Sequence, residues 1–402
     1  MNQRSVSAGN TEAGKPVYLD YNATTPTDPD VAEAMRPYLA EYFGNPSSSY
    51  SYGIQTKDAI ENARAQVAAL LECQPHEVVF TSGGTESNNF AIKGTAFANR
   101  DRGNHVVTAQ IEHPAVTQVC EYLERQGFDI TYLQVDEFGL ISVSDVEKAI
   151  SGRTTLITIM HANNEVGTIQ PIEQISRLAS EKGVTFHTDA AQSAGKIPVS
   201  VGDLGVDLLS LAGHKIYAPK GIGALYIRQG LRLEKFMHGA GQERGMRAGT
   251  ENILGIVGLG KACEIAKRDL SRNASRMRDM RDALYKGLFE SLENVRLNGH
   301  PERRLPNTLS FSIQGVQSDV LLGKIKGRLA ASAGAACHSG EVDISHVLRA
   351  MKVPEDWARG TIRLSTGKMT TESDIETAIR IIADAVSSLR DTADGSSMKR
   401  RL

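Results

Sequence analysis

Four short stretches of this chain hold residue types whose spacing could do chemistry. TSGGTESNN (81–89) sets Gly83 and Gly84 between an apolar run and a helical pattern opening at Thr85. FHTDAAQ (186–192) and LAGHKIYAPKG (211–221) each place polar residues at the end of an apolar run, Asp189 and Gln192 in one, His214 and Lys215 in the other. AGAACHSGE (333–341) holds one cysteine, Cys337, among small residues and directly before a histidine. A Gly-rich strand-to-helix turn presents bare backbone N–H groups and the positive end of a helix dipole, a good seat for a phosphate to which Thr85 adds a hydroxyl. The stretch is neither a Walker A nor a GxGxxG sequence. An acid and a lysine at neighbouring strand ends are what pyridoxal phosphate requires. The lysine forms the Schiff base, and the acid keeps the pyridine nitrogen protonated so that the ring accepts electrons. Singly, each stretch has a plainer reading: a tight turn with an N-capping threonine, a helix-capping aspartate, a solvated lysine. Together, in this order, they point to the cofactor.

These residues need a scaffold that sets strand ends side by side. Apolar runs at 77–83, 105–113, 156–164, 185–192, 207–215 and 223–229 are mostly continuous rather than alternating, as in strands covered on both faces. Helical patterns at about 87–98, 114–126 and 172–182 lie between several of them. The alternation predicts an α/β domain with a mostly parallel or mixed sheet, with ligands bound where strands end. From about 252 to 292 the pattern turns helical with a charged face, as in a helix linking two domains. TLSFSI, RLAASAG and TIRLSTG then read as shorter strands, followed by a closing helix at about 372–390, which suggests a smaller α+β domain.

With 402 residues the chain is long enough for one large and one smaller domain. Hydrophobic residues are 41% and charged residues 23%, and 45 basic against 47 acidic residues give a formal charge of -2. That balance offers no basic stripe for nucleic acid or a membrane face. No apolar stretch reaches the roughly 20 residues of a membrane span, and MNQRSVSAGNTEAGK lacks the apolar core of a secretory signal. Cys73, Cys120, Cys263 and Cys337 are far apart, without CxxC or zinc spacing, so neither disulfides nor a metal site are expected and a reducing cytoplasm is.

The chain resembles the pyridoxal-phosphate-dependent cysteine desulfurases of the NifS/IscS type. The motifs that carry the resemblance run from YLDYNATTP (18–26) through FGNP, TSGGTES, IEHPAV, HANNEVGTIQP, HTDAAQ, GHKIYAPKG and GQERGMRAGT to TIRLSTG (361–367), nearly the whole chain. The resemblance implies an aminotransferase-like fold of type I, a large α/β domain with a seven-stranded, mainly parallel sheet plus a smaller α+β domain. It implies an N-terminal arm and small-domain segment at 1–26, a cofactor-binding domain at 27–262, and a small domain at 263–402 with a mobile Cys337 loop.

By the same resemblance Lys215 is the Schiff-base lysine, Asp189 pairs with the pyridine nitrogen, and Gln192 bonds the phenolic oxygen. His113 stacks on the ring and can shuttle a proton. Gly84, Thr85 and His214 hold the phosphate, joined by Thr250 from the other subunit of a homodimer. Asn164 and Arg363 grip the substrate carboxylate, for which a guanidinium fork is geometrically suited. Outside the family context, His113 could simply end a strand, Arg363 form an ordinary ion pair, and Thr250 cap a helix. Cys337 is the implied nucleophile, converting L-cysteine to L-alanine with the sulfur kept as an enzyme persulfide. A sulfur that must attack and then deliver should sit on a loop without bulky anchors, which accounts for the composition of AGAACHSGE. His338 is placed to lower the Cys337 pKa only if the two side chains face each other. The other three cysteines lie on helical patterns and read as packing.

Two departures from the housekeeping pattern stand out. Ala212 occupies the place of a phosphate-binding serine, and the active loop reads ACHSG where SACTS is commoner. Both features look more like selenocysteine lyases and like desulfurases with specialised roles such as DNA phosphorothioation. The loop from Cys337 to HVLRAM is nevertheless of the persulfide-delivering length. Desulfurase is therefore the first expectation, with sulfur passed to an acceptor protein for iron–sulfur clusters or for tRNA or DNA thio-modification. Selenocysteine lyase is the alternative, and a non-catalytic sulfur-relay scaffold the alternative of another class. The terminus LRDTADGSSMKRRL differs from the extended tail by which housekeeping members dock the iron–sulfur scaffold, so that partner is not carried across.

Overall fold

In the computed structural model, residues 15–333, 335–338 and 341–399 are described, with the backbone alone for 335–338, 341–343 and 392–399. The chain enters through β1 (Val17–Tyr18), which pairs in parallel with Leu329–Ala330. Helices α1 (Pro29–Met35) and α2 (Ser51–Leu71) follow. The main sheet is then built from β2 (Val78–Thr81), β3 (His105–Ala109), β4 (Asp129–Leu133), β5 (Thr154–Thr158), β6 (Thr185–Asp189), β7 (Leu208–Ala212) and β8 (Gly223–Ile227). Their spatial order is β2-β8-β7-β6-β5-β3-β4. All run parallel except β8, which is antiparallel to both neighbours.

Every residue of β2, β3, β5, β7 and β8 is buried, because helices cover both faces of the sheet, and that is why these strands read as unbroken apolar runs. They are shorter than the predicted runs, whose last residues belong to the loops that carry the polar side chains. Between β3 and β5 the strand order reverses, since β3 is flanked by both β4 and β5. A crevice at the carboxyl ends is expected there.

Two helices matter for the site. The helix α3 (Gly84–Ala98) starts three residues earlier than the predicted 87, directly at the glycine pair. Gly83, at φ 155°, takes a backbone conformation that residues with a Cβ rarely adopt. Helix α4 (Pro114–Arg125) starts with proline at its first position, where the missing N–H costs nothing.

The long helix Ile253–Ser291 serves two hydrophobic clusters. Ile256, Leu259, Ala262 and Cys263 join the core of the main sheet, while Met280, Leu284 and Leu288 join a second cluster with Phe311, Ile362 and Ile382. The second cluster lies on an antiparallel sheet in the order Ser332–Ala333, Thr361–Ser365, Thr308–Ile313, Val295–Asn298. Fully burying an aromatic or aliphatic side chain of this kind is worth about 1.5–3 kcal/mol. Val347, Leu348 and Met351, beyond the long helix in sequence, nonetheless pack into the first cluster. The closing helix runs Glu372–Lys399, past the predicted 390. Cys337 lies in the strand Ala335–His338, paired antiparallel with Glu341–Ile344 so that Cys337 stands opposite Val342, where the sequence predicts an irregular loop.

Candidate active site

A cavity of about 430 Å³ opens at the carboxyl ends of the main sheet, at the predicted crevice. Gly84, Thr85, His113, Asn164, Asp189, Gln192, His214, Lys215 and Arg363 all line it. Three other residues singled out by the sequence are not part of that lining. Thr250 is exposed and lies outside the lining of this chain's cavity. The side chains of Cys337 and His338 lie outside the described residues.

At the cavity floor, Asp189 ends β6. Its Oδ1 accepts from the Ala191 N–H at 2.9 Å and its Oδ2 from Asn88 Nδ2 at 2.7 Å. The two hydrogen bonds fix the carboxylate in one orientation, where a ring nitrogen needs a counterion. Asn88, one turn into α3, was not singled out by the sequence. Its spacing of four from Gly84 puts both on one helix face, which is the only signal it gave. Asn88 Oδ1 is buried without a partner.

Lys215 follows β7. Its Nζ donates to the carbonyls of Asn22 at 2.6 Å and Ala23 at 2.7 Å, both from the N-terminal segment. Burial, and then the Arg363 guanidinium, push its pKa down from 10.5 to about 8, against the opposing pull of Asp189 and Asp20. His214 beside it falls to about 4 through burial and the nearby Lys215 and Lys220, so it is a neutral donor or acceptor at pH 7.

His113 caps α4: its Nδ1 accepts from the Ala115 N–H at 3.1 Å. An accepting Nδ1 carries no proton, which leaves the neutral ring with its hydrogen on Nε2. Desolvation lowers its pKa, Lys215 and His346 push the same way, and Asp189 opposes them. Next to it, Glu112 is fully buried, with Oε1 accepting from Met160 N at 2.8 Å and Oε2 unpartnered. Burial holds this carboxyl well above the usual range.

Arg363 arrives from the antiparallel sheet. Nη1 donates to the Asn164 carbonyl at 2.9 Å, Nη2 to Asp20 Oδ1 at 2.7 Å and to Ser332 Oγ at 2.9 Å, while Nε is buried without a partner. The second role the sequence left open, an ordinary ion pair, is thus also present, with Asp20.

The donor set fits pyridoxal phosphate. A helix N-terminus at Gly84 leaves the first-turn N–H groups without helical acceptors and gives the phosphate a seat. The Cβ of Ala212 lies 3.2 Å from the position a Cβ on Gly84 would take, so a side chain at Gly84 would crowd that seat. Asp189 suits the ring nitrogen, and a lysine depressed to about 8 suits an aldehyde. Among the described residues there is no group of three or more potential metal ligands. The remaining cysteines are structural: Cys120 and Cys263 are buried, and burial pushes the Cys73 and Cys120 thiols to about 12.

Comparison with known proteins agrees with this geometry. Residues 17–377 match the model of the aminotransferase class-V family. A cysteine desulfurase IscS of Methanosarcina thermophila is 47% identical over 378 residues, covering 94% of this chain and 93% of the relative. A solved NifS-like protein superimposes with a TM-score of 0.88 at 38% identity, over 93% of this chain and 100% of that one. SspA, solved in complex with cysteine, matches with a TM-score of 0.78 at 40% identity, over 89% of this chain and 100% of that one.

Proposed function

The chain belongs to the aminotransferase class-V family as a pyridoxal-phosphate-dependent cysteine desulfurase, and from that premise we propose how its own residues divide the work. The observation that carries the reading is the convergence of an amine, a fixed carboxylate, a helix N-terminus and a guanidinium on one 430 Å³ cavity, from segments far apart in sequence. Gly84, Thr85 and His214 would hold the phosphate, Asp189 the ring nitrogen and Gln192 the phenolic oxygen. Bound there, the cofactor supplies an electron sink conjugated to the substrate's α-carbon.

Arg363, aided by Asn164, takes the carboxylate of L-cysteine and so orients the α-hydrogen toward Lys215. At about 8, the Lys215 amine is basic enough to take that proton yet neutral in a useful fraction at pH 7. His113, with its hydrogen on Nε2, lines the same cavity and would relay protons there. The Cys337 thiolate attacks the substrate sulfur: a sulfur–sulfur bond forms, the carbon–sulfur bond breaks, and its electron pair stays with the carbon skeleton. Two protons complete L-alanine, and the persulfide remains on Cys337.

The reading includes a homodimer. Leu39, Phe43, Tyr50, Tyr52 and Ile54 form an exposed apolar and aromatic stretch in the segment around FGNP, which a second copy would cover. Thr250, outside its own cavity, is then free to serve the partner subunit's. An acceptor protein docks near the Cys337 hairpin. The free thiols of Cys73, Cys120 and Cys263 fit a cytoplasmic setting. We also propose two domains that divide near residue 262 on the long helix, with Val347, Leu348 and Met351 of the second returning to pack on the core of the first. Ala212 and the ACHSG loop favour one second reading, a selenocysteine lyase. Initial rates with L-cysteine and L-selenocysteine, for the wild type and Cys337→Ala, test the assignment. Cysteine turnover that disappears in Cys337→Ala supports the desulfurase. Cysteine turnover that persists in the variant refutes the role of Cys337, and turnover of selenocysteine alone establishes the lyase.

A further inference from the structure

The sequence that follows β6 reads AAQSAGK, which sets Lys196 four residues after Gln192. The backbone there coils in helical fashion: Ala194 N donates to Ala190 O at 3.0 Å, and Lys196 N to Ser193 O at 3.0 Å. Residues four apart on such a coil share a side. Lys196 Nζ accordingly lies 2.8 Å from Gln192 Oε1, and 3.4 Å from Asn22 Oδ1. Lys196 is 4% exposed, and no carboxylate among the described residues pairs with it. The charges that face it, Lys215 and Arg363, are both positive, and with burial they drive its pKa well below the usual lysine value. An amine held at such a cost, with two amide oxygens as its acceptors among the described residues, calls for a reason beyond packing.

We propose that Lys196 is a positioning residue that holds the Gln192 amide with its oxygen turned inward, so that only the N–H end faces the phenolic oxygen of pyridoxal phosphate. The inference rests on the reading of the cavity given above. Whether ammonium or amine, Nζ donates to Gln192 Oε1. At its other end, Gln192 Nε2 donates to the Asn22 carbonyl at 3.0 Å, an atom that can only accept. A reversed amide would set oxygen against the Asn22 carbonyl at one end and, with Nζ protonated, N–H against the Nζ hydrogens at the other. It would also meet a phenolate oxygen with an acceptor. Lys196 thus turns a two-faced glutamine into a dedicated donor.

The test uses purified full-length protein, with pyridoxal phosphate retention measured by titration and the position of the visible absorption band read at one fixed pH. Lys196→Met keeps the length and the apolar stem while removing the donor. It should retain the cofactor about tenfold more weakly, the size of one hydrogen bond to a charged acceptor, and shift the band. Gln192→Leu should make the same two changes, and the double variant should be no worse than Gln192→Leu alone. Wild-type retention and band in Lys196→Met, or losses that add in the double variant, overturn the proposal. Should Lys196→Met not fold, Gln192→Glu carries the test, since a carboxylate pairs with Lys196 but has no hydrogen for the phenolic oxygen. Unchanged retention in that variant overturns the donor role. Wild-type protein that takes up no pyridoxal phosphate, or a Lys215→Ala protein with an unchanged band, instead refutes the reading of the cavity and the proposal with it.

Discussion

Cofactor capture should follow the protonation of Lys215, because only a neutral amine attacks an aldehyde. The cavity lowers its pKa from 10.5 to about 8, chiefly by burial and next by the Arg363 guanidinium. At pH 7 a pKa of 8 leaves roughly one amine in ten neutral, against roughly one in 3,000 at 10.5, a gain of roughly 300-fold in reactive form. Uptake of pyridoxal phosphate by cofactor-free protein, followed by its visible absorbance, should therefore speed up with pH and level off above about 8. Arg363→Leu removes a cation and leaves Asp189 and Asp20 to raise the pKa, so the break should move upward. Uptake at pH 7 should fall about tenfold for each unit of that movement. A wild-type rate still climbing beyond pH 10, or an Arg363→Leu rate equal to or above wild type at pH 7, refutes the argument. The same shift bears on stability. Between about 8 and 10.5 the unfolded chain binds the proton that the folded one has lost, so cofactor-free stability should rise with pH across that window. Below it the buried cation costs up to on the order of 3 kcal/mol, and Lys215→Met should unfold at a higher temperature at pH 7.

Three further outcomes follow from other parts of the site. Ala212→Ser places a hydroxyl beside Gly84 at the phosphate seat and should tighten cofactor retention about tenfold by titration; unchanged or weaker retention argues against the seat. Glu112→Gln keeps the acceptor for Met160 N–H, but its amide does not titrate. Because the folded carboxyl has a raised pKa, the wild type loses stability as pH climbs above the ordinary carboxylate range, so the variant should melt higher at pH 7 and show no gain near pH 4. Phe43→Asp puts a charge into the exposed apolar stretch and should sediment as a monomer with weakened cofactor retention; an unchanged dimer moves the interface elsewhere.

What the sequence could reveal depended on how each element is covered. Strands β3, β5 and β7 are buried on both faces, so their sequences HVVTA, TTLIT and LLSLA had to be continuous and apolar or β-branched. Strand β4 is an edge strand, half exposed, and DITYL lacks that signature. Helix α2 escaped notice for a different reason. Its second half buries Ile60, Ala63, Val67 and Leu71 at helical spacing, but Gly53, Thr56 and Arg64 on the same buried side interrupt the apolar stripe. Arg64 is tolerated there because Glu243, 179 residues away, meets it with two hydrogen bonds of 2.8 and 2.9 Å, while the Val78 carbonyl and Glu61 also accept from it.

The same distinction runs through the site. Asp189, His214 and Lys215 were legible because each ends a readable strand with a residue type that a strand end does not need. Asn22 was not. It is 1% exposed, and its side chain accepts from Lys196 Nζ and from Asn307 Nδ2 at 2.9 Å while donating to Thr308 Oγ1 at 2.8 Å and the Asn164 carbonyl at 3.1 Å. Its backbone N–H donates to Ser365 Oγ at 2.9 Å, and its carbonyl accepts from both Gln192 and Lys215. One residue of YNATTP thereby ties the Schiff-base candidate, the phenolic-oxygen donor and the strand that carries Arg363 into one network. Its partners lie between 142 and 343 residues away, so no local pattern could announce it. A buried polar network of this kind is specified by the finished fold, because each member is stable only when every other is in place.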